Sequence, residues 1–484
     1  MSTKTKPVTS QHLRRIIIAC GLVVAFVLGI LTDKLITAVT PGESGNSGTS
    51  HSAVFDTIYK TMKDNWYWGK DVENLDEELI NKAITGMTSF ESDPFTEYMD
   101  AKAAQEFINS LNNSIVGVGI QYQYFNNRVH VRDVLSGSPA ESYGIKAGDI
   151  ITHVDGTSLE GLDTDKIADM VTGEEGTKVV LTVVREGQAQ DITVVRGQIY
   201  TSVNSRMLGD NIGLVRLISF SNGTGRELKS HLDSLRRQGA TKLIIDLRDN
   251  GGGYLDTLRS VASFFIDKDQ VVLRETFKDG SESVVKTSGG KYAFDDIVCL
   301  INDYSASCTE VFAAAMREHN GTKLIGTTTY GKGTVQLSRT FADGSILKYT
   351  EAQWLTPSGD SIHGKGVVPD EEVFLDDALY ISLAVLEYPD GVDAYYPDEV
   401  SDPILAAQVI LKYLGYDVKR EDGYYDDSTL EAIRTFAADH HLAFENKLDP
   451  DLLDEMFSAM YRLFDSKIEA DAQLLRAWEI LHGE

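Results

Sequence analysis

Two small-residue motifs carry the side chains with which this chain could do chemistry. Ser307 lies in the first motif and Lys332 in the second. A serine hydroxyl is a weak nucleophile at its own pKa, and a lysine can act as its base only where burial keeps the amine neutral. If these two side chains meet in the fold, they supply the nucleophile and the base of a hydrolase that needs no histidine.

The elements predicted around Ser307 favour that role. Residues 297–301 form an apolar run typical of a buried strand, and residues 309–319 have the spacing of an amphipathic helix. Ser307 therefore lies in a strand-to-helix turn, where the unpaired N–H groups of the helix start favour an anion.

The surroundings of Lys332 favour burial. Gly331 and Gly333 stand on either side of it and permit close backbone approach, and residues 323–325 form an apolar strand just before it. The sequence therefore predicts a lysine whose amine is partly withdrawn from water.

Both motifs also have a plainer interpretation. Ser307 followed by Glu310 is a capping-box pattern that could serve only the helix. Residues 326–332 resemble the start of a phosphate-binding loop, but Gly333 stands where a hydroxyl should hold magnesium, and residues 334–337 predict a strand where a helix should begin. The phosphate-binding interpretation therefore fails.

A third segment adds a possible oxyanion site. Residues 243–247 predict a buried strand, and Asn250, Gly251, Gly252 and Gly253 follow it closely. A glycine turn of this kind can aim backbone N–H groups at an oxyanion, although alone it would be an ordinary loop.

Together these segments resemble the carboxy-terminal processing peptidases, also called tail-specific proteases. The resemblance runs from about Phe55 to about Leu386. It rests on four motifs: Asp246-Leu247-Arg248 with Asn250 and the glycines, Ser305-Ala306-Ser307 with Glu310, Gly331-Lys332-Gly333-Thr334-Val335-Gln336, and Thr356-Pro357-Ser358-Gly359 leading to Gly366 and Pro369-Asp370.

The resemblance implies a role for each matching residue. Ser307 would be the nucleophile, Lys332 the general base and Gln336 the residue that orients the lysine. The backbone N–H groups of Gly252 and Cys308 would form the oxyanion hole, with no metal and no cofactor. The chain departs from the family in having Gly251 where proline is usual and Cys308-Thr309 where Ala-Ser is usual. A Cys308 thiol nucleophile is an alternative, but the family spacing favours Ser307.

Composition excludes several other classes of protein. The chain has 484 residues, 42% of them hydrophobic, which suffices for several packed domains. Its formal net charge of −28 argues against nucleic-acid binding. With only 3 cysteines, disulfides do not hold the fold together. The histidines follow no zinc-binding His-Glu-x-x-His pattern, and no Gly-x-Ser-x-Gly elbow occurs.

The amino terminus predicts a membrane anchor. Basic residues precede an uncharged apolar run at 16–32, close to the ~17-residue lower limit for a transmembrane helix. Their position predicts a cytoplasmic amino end and an extracytoplasmic remainder. A cleaved signal peptide is the competing interpretation, but no small-x-small cleavage site follows the run.

Residues 103–197 have a pattern of short alternating strands and turns, and after them strands predicted at 212–217 and 243–247 alternate with helices predicted at 225–238 and 255–266. The chain is therefore predicted to be an α/β multidomain protein, in which resemblance implies a crotonase-like protease core with an inserted PDZ β domain, an N-terminal transmembrane helix and a small C-terminal helical domain. The predicted limits are 1–40 for the basic end and anchor, 41–52 for a flexible stalk, 53–102 for a helical region, 103–198 for the PDZ domain, 199–392 for the protease core, 400–462 for a peptidoglycan-binding-like domain and 463–484 for a final helix.

The PDZ resemblance supplies a candidate site for peptide tails. A glycine-containing loop can turn N–H groups toward a terminal carboxylate while the tail adds a strand beside it. The residues expected to do so are Val116, Gly117, Val118, Gly119 and Ile120. A core strand with permissive glycines is the plainer interpretation.

These observations lead to a membrane-anchored extracytoplasmic serine endopeptidase that recognises protein C-terminal tails. The expected partners are such substrates, peptidoglycan at the last domain and the membrane at the anchor; a homo-oligomer is compatible with the sequence, and nucleic acid is excluded. The rival is a noncatalytic PDZ and wall-binding scaffold. A latent enzyme, whose PDZ domain keeps the dyad apart until a tail binds, differs only in its regulation.

Overall fold

The computed structural model of the protein describes residues 51–483 apart from 113, 136, 201 and 390. These residues divide into two compact units, with the boundary after Ala83. The first unit contains helix α1 (His51–Asn65), a 3-10 helix (Tyr67–Asp71) and the first part of α2 (Leu75–Thr88). Helix α1 begins inside the predicted stalk, so the chain is already helical at its last two residues.

The predicted membrane localisation is corrected by the structure. Between residues 51 and 483, leaving aside the four gaps, no helix is long and apolar enough to cross a bilayer. The longest of them, Pro450–Ser466, has 17 residues, fewer than the ~20 apolar residues that a span requires. The predicted anchor at 16–32 lies outside the described residues, so the structure gives no support to a single-pass membrane protein.

The segment predicted as a PDZ domain consists of short antiparallel strands. Its main sheet has the order β3-β4-β5-β7-β8, with β6 paired to β5, and β2 pairs separately with β9. The elements of this part are α3 (Ala101–Asn112), β2 (Ser114–Gly117), β3 (Ile120–Phe125), β4 (Arg128–Val134), α4 (Pro139–Ser142), β5 (Ile150–Val154), β6 (Thr157–Ser158), α5 (Thr164–Val171), β7 (Lys178–Arg185), β8 (Gln188–Val195) and β9 (Gly197–Tyr200).

Local sequence explains these strands. Alternating apolar residues of β7, such as Val179 and Leu181, are fully buried, whereas the residues between them are partly exposed. Asn126 and Asn127 connect β3 to β4 with φ of 47° and 60°, a left-handed pair that asparagine tolerates in two-residue hairpins. The predicted alternation of short strands and turns is confirmed.

The core that follows is built on two sheets. The first has the order β10-β11-β12-β15-β16-β19, with β11 to β19 parallel. Its elements are β10 (Val203–Gly209), β11 (Ile212–Leu217), α6 (Thr224–Arg237), β12 (Lys242–Asp246), α7 (Leu255–Ala262), β15 (Asp296–Ile301), α8 (Cys308–Asn320), β16 (Lys323–Gly326) and β19 (Glu371–Glu372). The middle of β12, residues 243–245, is apolar and fully buried because packed elements cover both faces of the sheet.

The second sheet is antiparallel and brings a segment from before the PDZ domain against the core. Its order is β1-β18-β13-β14, and β17 also pairs with β18. The strands are β1 (Glu97–Met99), β13 (Val271–Phe277), β14 (Glu282–Lys286), β17 (Thr334–Thr340) and β18 (Ile346–Leu355). Residues separated by some 250 positions therefore meet at one edge, where Glu97 is opposite Lys348.

One predicted helix is shorter than expected. The apolar spacing predicted a helix at 255–266, but α7 ends at Ala262. Ser263 Oγ bonds back to the Arg259 carbonyl at 2.7 Å, and the N–H of Phe264 reaches the Val261 carbonyl three residues back. The chain tightens at this point, so the apolar residues that follow are buried by a turn rather than by a helix.

The last part of the described chain is helical, as predicted. Its helices are α9 (Leu383–Leu386), α10 (Asp402–Tyr413), α11 (Asp427–Asp439), α12 (Pro450–Ser466) and α13 (Ala472–His482). Side chains of Ser401, Asp426, Asp449 and Asp471 cap four of them. Leu474 of α13 joins a buried cluster with residues of the parallel sheet, so this helix packs on the core.

Candidate active site

Ser307 stands at the turn between β15 and α8. Its φ of 59° and ψ of −122° lie outside the favoured regions for a residue with a side chain. Such a conformation costs about 1–3 kcal/mol and is typical of functional positions. A sharp turn of this kind also occurs at strand-to-helix nucleophiles, where it presents the hydroxyl at the end of the sheet.

A single buried carboxylate links Ser307 to Lys332. Glu310 Oε2 accepts the N–H of Ser307 at 2.8 Å and the N–H of Lys332 at 2.9 Å. The two backbone nitrogens can therefore be no farther apart than those two distances added together. Glu310 Oε1 accepts the Gly331 N–H at 2.7 Å and the Thr329 hydroxyl at 2.6 Å.

Glu310 is the residue whose importance the sequence did not reveal. Burial raises its pKa, whereas the hydrogen bonds from Thr329, Gly331, Ser307 and Lys332 oppose that rise. Four donors on two oxygens match the ionised carboxylate. The capping spacing found only its nearest contact, because its other partners lie 19 to 22 residues away.

The amine of Lys332 lies in a half-buried place. Its Nζ is 4.7 Å from the centre of the Phe95 ring, and its backbone carbonyl accepts from Trp354 Nε1 at 2.9 Å. Burial lowers the pKa of Lys332, the charge of Lys348 lowers it further, and Cys308, Glu310 and Glu97 act in the opposite direction. The net shift is the one that a general base requires.

The glycine beside Lys332 is needed for packing. A Cβ on Gly333 would lie 2.7 Å from Cβ of His363 and 2.8 Å from its backbone nitrogen. Only glycine fits so close a backbone approach, as the sequence predicted. The motif therefore holds Lys332 against the 363–366 turn.

The predicted oxyanion residues, Gly252 and Cys308, lie next to Ser307, but their N–H groups differ in whether they already make a hydrogen bond. Gly252 has φ of 100°, and a Cβ there would be 2.8 Å from Cβ of Ser307. Its N–H donates to Asn250 Oδ1 at 2.9 Å, so that group is engaged within its own turn. Within the part of the chain that the structure describes, nothing accepts from the N–H of Cys308, which opens α8.

The Cys308 thiol is unsuited to act as the nucleophile. It is buried and donates to the Gly253 carbonyl at 3.2 Å. Burial raises the pKa of the Cys308 thiol to about 12, so it stays protonated at neutral pH. Cys299 is likewise a buried free thiol, and no disulfide joins the two.

Gln336 lies on β17 close to the lysine motif. Its Nε2 donates to Thr334 Oγ1 at 2.8 Å and to Thr350 Oγ1 at 3.3 Å. The Thr350 hydroxyl in turn donates to Asp93 Oδ1 at 2.9 Å. The amide nitrogen is thus held by two threonines of the strand pair in this structure.

Three segments of the chain match known protein families. Residues 211–373 match the model of "Peptidase family S41", residues 130–185 match "PDZ domain", and residues 400–456 match "Putative peptidoglycan binding domain". The "Carboxy-terminal processing protease CtpA" of Bacillus subtilis (strain 168) is 33% identical over 471 residues, covering 95% of this chain and 98% of that protein. The chain belongs to the carboxy-terminal processing proteases.

Other relatives extend the comparison. A "Probable CtpA-like serine protease" of Staphylococcus haemolyticus (strain JCSC1435) is 34% identical over 436 residues, covering 90% of this chain and 85% of that one. Among solved structures, a photosystem II D1 C-terminal processing protease matches with 24% identity and a TM-score of 0.40, covering 68% of this chain and 94% of that one. The family match and the curated relatives together identify this processing protease as a serine-type endopeptidase.

A buried ion-pair network fixes the strand that leads to the protease's oxyanion turn. Arg248 donates to Asp246 at 2.9 and 2.8 Å and to Asp471 at 3.1 and 2.8 Å, and it also reaches Gln473 Oε1 at 3.0 Å. Although burial acts to raise it, the pKa of Asp246 is lowered by the Arg248 charge. The sequence singled out Arg248 but gave no sign of Asp471, its partner from α13.

Asp249, the next residue of the protease, connects the same turn to its surroundings. Its Oδ2 lies 3.2 Å from Nη2 of Arg132 on β4 and 3.4 Å from Nη2 of Arg216 on β11. Its Oδ1 accepts from Asn302 Nδ2 at 2.9 Å, at the start of the loop that carries Ser307. A strand of the PDZ segment, the glycine turn at 250–253 and the loop that carries Ser307 thus meet at one carboxylate.

The predicted tail-binding residues of the protease surround the start of β3. Val116 and Gly117 end β2, Val118 is buried, and Ile120 opens β3. Gly119 has φ of 88°, and a Cβ there would lie 2.3 Å from that of Ser138. In the main PDZ sheet β3 is an edge strand, which leaves one side open to an added strand.

The structure brings no metal-binding group together in the described part of the protease. Across residues 51–483 without the four gaps, no cluster of three histidine, cysteine, aspartate or glutamate side chains could hold a metal ion. His440 and His441, which are adjacent in the sequence, follow the end of α11.

Proposed function

We propose that this protease cleaves protein substrates near C-terminal tails through a Ser307–Lys332 dyad. The observation that carries the proposal is the Glu310 carboxylate, which binds the backbone of both residues while the lysine amine is half-buried. A half-buried lysine with a lowered pKa, held by the same carboxylate as a serine at a strained turn, is the arrangement that nucleophilic catalysis without histidine requires.

The reaction follows from these positions. Neutral Lys332 takes the proton of Ser307 Oγ as that oxygen attacks the scissile carbonyl carbon. The carbonyl oxygen becomes an oxyanion, which the N–H groups of Cys308 and Gly252 stabilise. The lysine ammonium then gives its proton to the leaving amine, and the C–N bond breaks. Neutral Lys332 next takes a proton from a water molecule as the water oxygen attacks the acyl carbon, and it gives that proton to Ser307 Oγ as the acyl C–O bond breaks and the product acid leaves, with no metal or organic cofactor.

Control by the PDZ domain is the second part of the proposal. Tails bind along the open edge of β3, with their carboxylate at residues 116–120. The contact of Arg132 with Asp249 supports a mechanical link from that domain to the oxyanion turn. Because the Gly252 N–H is engaged by Asn250, this part of the proposal includes a latent state that tail binding relieves.

The remaining features of the proposal concern the other segments. The domain limits are those predicted from the sequence, and the core is of the crotonase-like type; the parallel sheet carrying Ser307 at its carboxyl edge is compatible with that type. Peptidoglycan binds at the 400–462 domain, and Gln336 orients Lys332 once the substrate is in place. Self-association of the chain is a further expectation, and sedimentation of the full chain tests it.

Cleavage of an unfolded protein with an apolar carboxy terminus tests the dyad. The full chain is expected to produce defined fragments by mass spectrometry, and Ser307→Ala or Lys332→Ala is expected to reduce the rate about a thousandfold or more. Lys323→Ala, which removes an exposed lysine from β16, serves as the matched control and should cleave normally. Normal activity of the Lys332 variant would end the mechanism.

The same experiment separates the alternatives. If the folded wild type does not cleave, a tail peptide is added: cleavage then indicates the latent enzyme, and continued inactivity the noncatalytic scaffold. Circular dichroism of each variant shows whether a lost activity reflects lost folding.

A further inference from the structure

A second lysine occupies the strand beside the candidate base. Lys348 lies on β18, opposite Glu97 of β1 and Ser338 of β17. Its side chain is only 20% exposed, and its Nζ lies 2.5 Å from Glu97 Oε1 and 5.0 Å from the centre of the Phe107 ring. A positive charge is therefore held in a fixed place, largely shielded from water.

A short segment connects this charge to Lys332. Phe95 lies against the Lys332 amine, and Glu97, two residues later, holds Lys348. Thr96 between them accepts the N–H of Thr350 through its hydroxyl at 3.0 Å. Because only Thr96 separates Phe95 from Glu97, one tripeptide contacts both ammonium groups.

The charged and titratable groups that act on Lys332 come from three elements. Strand β18 contributes Lys348, β1 contributes Glu97, and α8 contributes Glu310 and Cys308. After burial, the Lys348 charge has the largest effect in lowering the Lys332 pKa, and the other three groups act to raise it. Lys348 is therefore the one among these neighbours whose charge favours a neutral amine.

We propose that Lys348 is a positioning residue for catalysis, whose charge keeps Lys332 in the unprotonated form needed to accept the serine proton. Glu97 limits this influence by pairing with Lys348. The inference rests on the proposed dyad, since it assigns Lys348 a role only if Lys332 is the base. Burial disfavours the charged ammonium form of Lys332. A second ammonium nearby adds electrostatic repulsion, which disfavours that form further.

The pH dependence of kcat/KM distinguishes an electrostatic role from a structural one. Lys348→Gln removes the positive charge, so Lys332 binds its proton more tightly and the acidic limb moves to higher pH. The rate constant at pH 6.5 should fall about three- to tenfold and should approach that of the wild type at alkaline pH. Glu97→Gln leaves Lys348 unpaired and should move the limb to lower pH.

Opposite shifts from the two halves of one ion pair are the result that supports the proposal. Both variants break the same pair, so a purely structural role would change both in the same direction. Lys348→Arg keeps the charge and should hold the limb where the wild type has it. Lys286→Gln, a matched control, removes the same charge from β14 at the far edge of the sheet and should leave the profile unchanged.

The outcomes separate this inference from the proposed function. If Lys332→Ala retains activity, the dyad fails and the role of Lys348 fails with it. If Lys332→Ala is inactive but the limb does not move in Lys348→Gln, the dyad stands and only the electrostatic role is overturned. A limb that moves in the same direction in Lys348→Gln and Glu97→Gln also overturns it.

Discussion

The Glu310 side chain holds the backbone at both residues of the proposed dyad without a hydrogen bond to either of their side chains. It is fully buried, and its two oxygens accept from the backbone at Ser307, Gly331 and Lys332 and from the Thr329 hydroxyl. Fixing the backbone on both sides of the dyad lowers the entropy that must be lost on reaching the reactive geometry.

Replacing Glu310 with glutamine is predicted to be costly for both folding and catalysis. The amide nitrogen would face backbone donors that need an acceptor, so at least one buried N–H would be left without a partner. We expect the free energy of unfolding to fall by about 2–4 kcal/mol and cleavage to be largely lost.

Urea unfolding and the cleavage rate measure these effects. Glu318→Gln makes the same chemical change on an exposed part of α8 and should cost less than about 1 kcal/mol. Equal stability losses in the two variants would contradict an organising role for Glu310.

The sequence could predict those candidate site residues whose surroundings are local in the chain. Ser307 and Lys332 could be singled out because small residues flank both in the sequence. The structure shows that one of these, Gly333, has no room for a Cβ. Glu310 was interpreted as a helix cap because its spacing from Ser307 already accounted for it. Its partners at Thr329 to Lys332 depend on tertiary folding, which the spacing does not encode.

At the scale of elements, the oxyanion turn is shaped by its contact with α8. Gly252 and Gly251 are neighbours, yet their surroundings differ. A Cβ at Gly252 would meet Cβ of Ser307, the Ala306 carbonyl at 2.9 Å and the Cys308 nitrogen at 3.0 Å, whereas Gly251 has open space.

This contrast predicts different outcomes for the same substitution at adjacent positions. Gly252→Ala meets backbone atoms and an unfavourable φ, so the turn must shift; we expect kcat to fall about a hundredfold or more. Gly251→Ala should retain most activity. Single-turnover cleavage with matched enzyme concentrations measures both, and comparable rates in the two variants would contradict the predicted role of the turn.

The elements themselves were mostly predicted from their periodicity. The apolar runs that became β11, β12 and β15 and the helical spacing that became α6 and α8 differ from the structure by only a residue or so at each end. Helix α7 was overextended because residues 263–266 keep apolar character after the backbone has tightened. Burial and helicity coincide in most of the core, but not there.

At the scale of the whole molecule, long-range pairs determine how the parts fit. The tip of the β3–β4 hairpin lies against the C-terminal helices: Phe125 belongs to their buried cluster, and Arg128 pairs with Asp454, 326 residues away. Burial raises the pKa of Asp454 to about 7, with the Arg128 charge opposing the rise. No pattern in the sequence announced this contact, because each residue alone fits a surface hairpin or an ordinary helix.

Asp471 offers a test of such a long-range pair. It caps α13 and also binds Arg248, so Asp471→Ser keeps a capping side chain while removing the charge partner of a buried guanidinium. We expect a loss of about 3–5 kcal/mol in the free energy of unfolding, together with reduced cleavage. The measurement is urea unfolding followed by intrinsic fluorescence.

A matched control comes from another helix. Asp426→Ser changes the N-cap of α11, where the same capping function is kept, and should cost less than about 1 kcal/mol. Equal effects at Asp471 and Asp426 would mean that the Arg248 pair adds nothing beyond the cap.

The position of α13 along the chain has a consequence for biosynthesis. Arg248 finds Asp471 only across 223 residues, and α13 also closes one face of the parallel sheet. When the strands of the core leave the ribosome, the helix that covers them has therefore not yet been synthesised. Until α13 has been synthesised, one apolar face of the parallel sheet is uncovered. The protease core is therefore complete only after translation has passed α13.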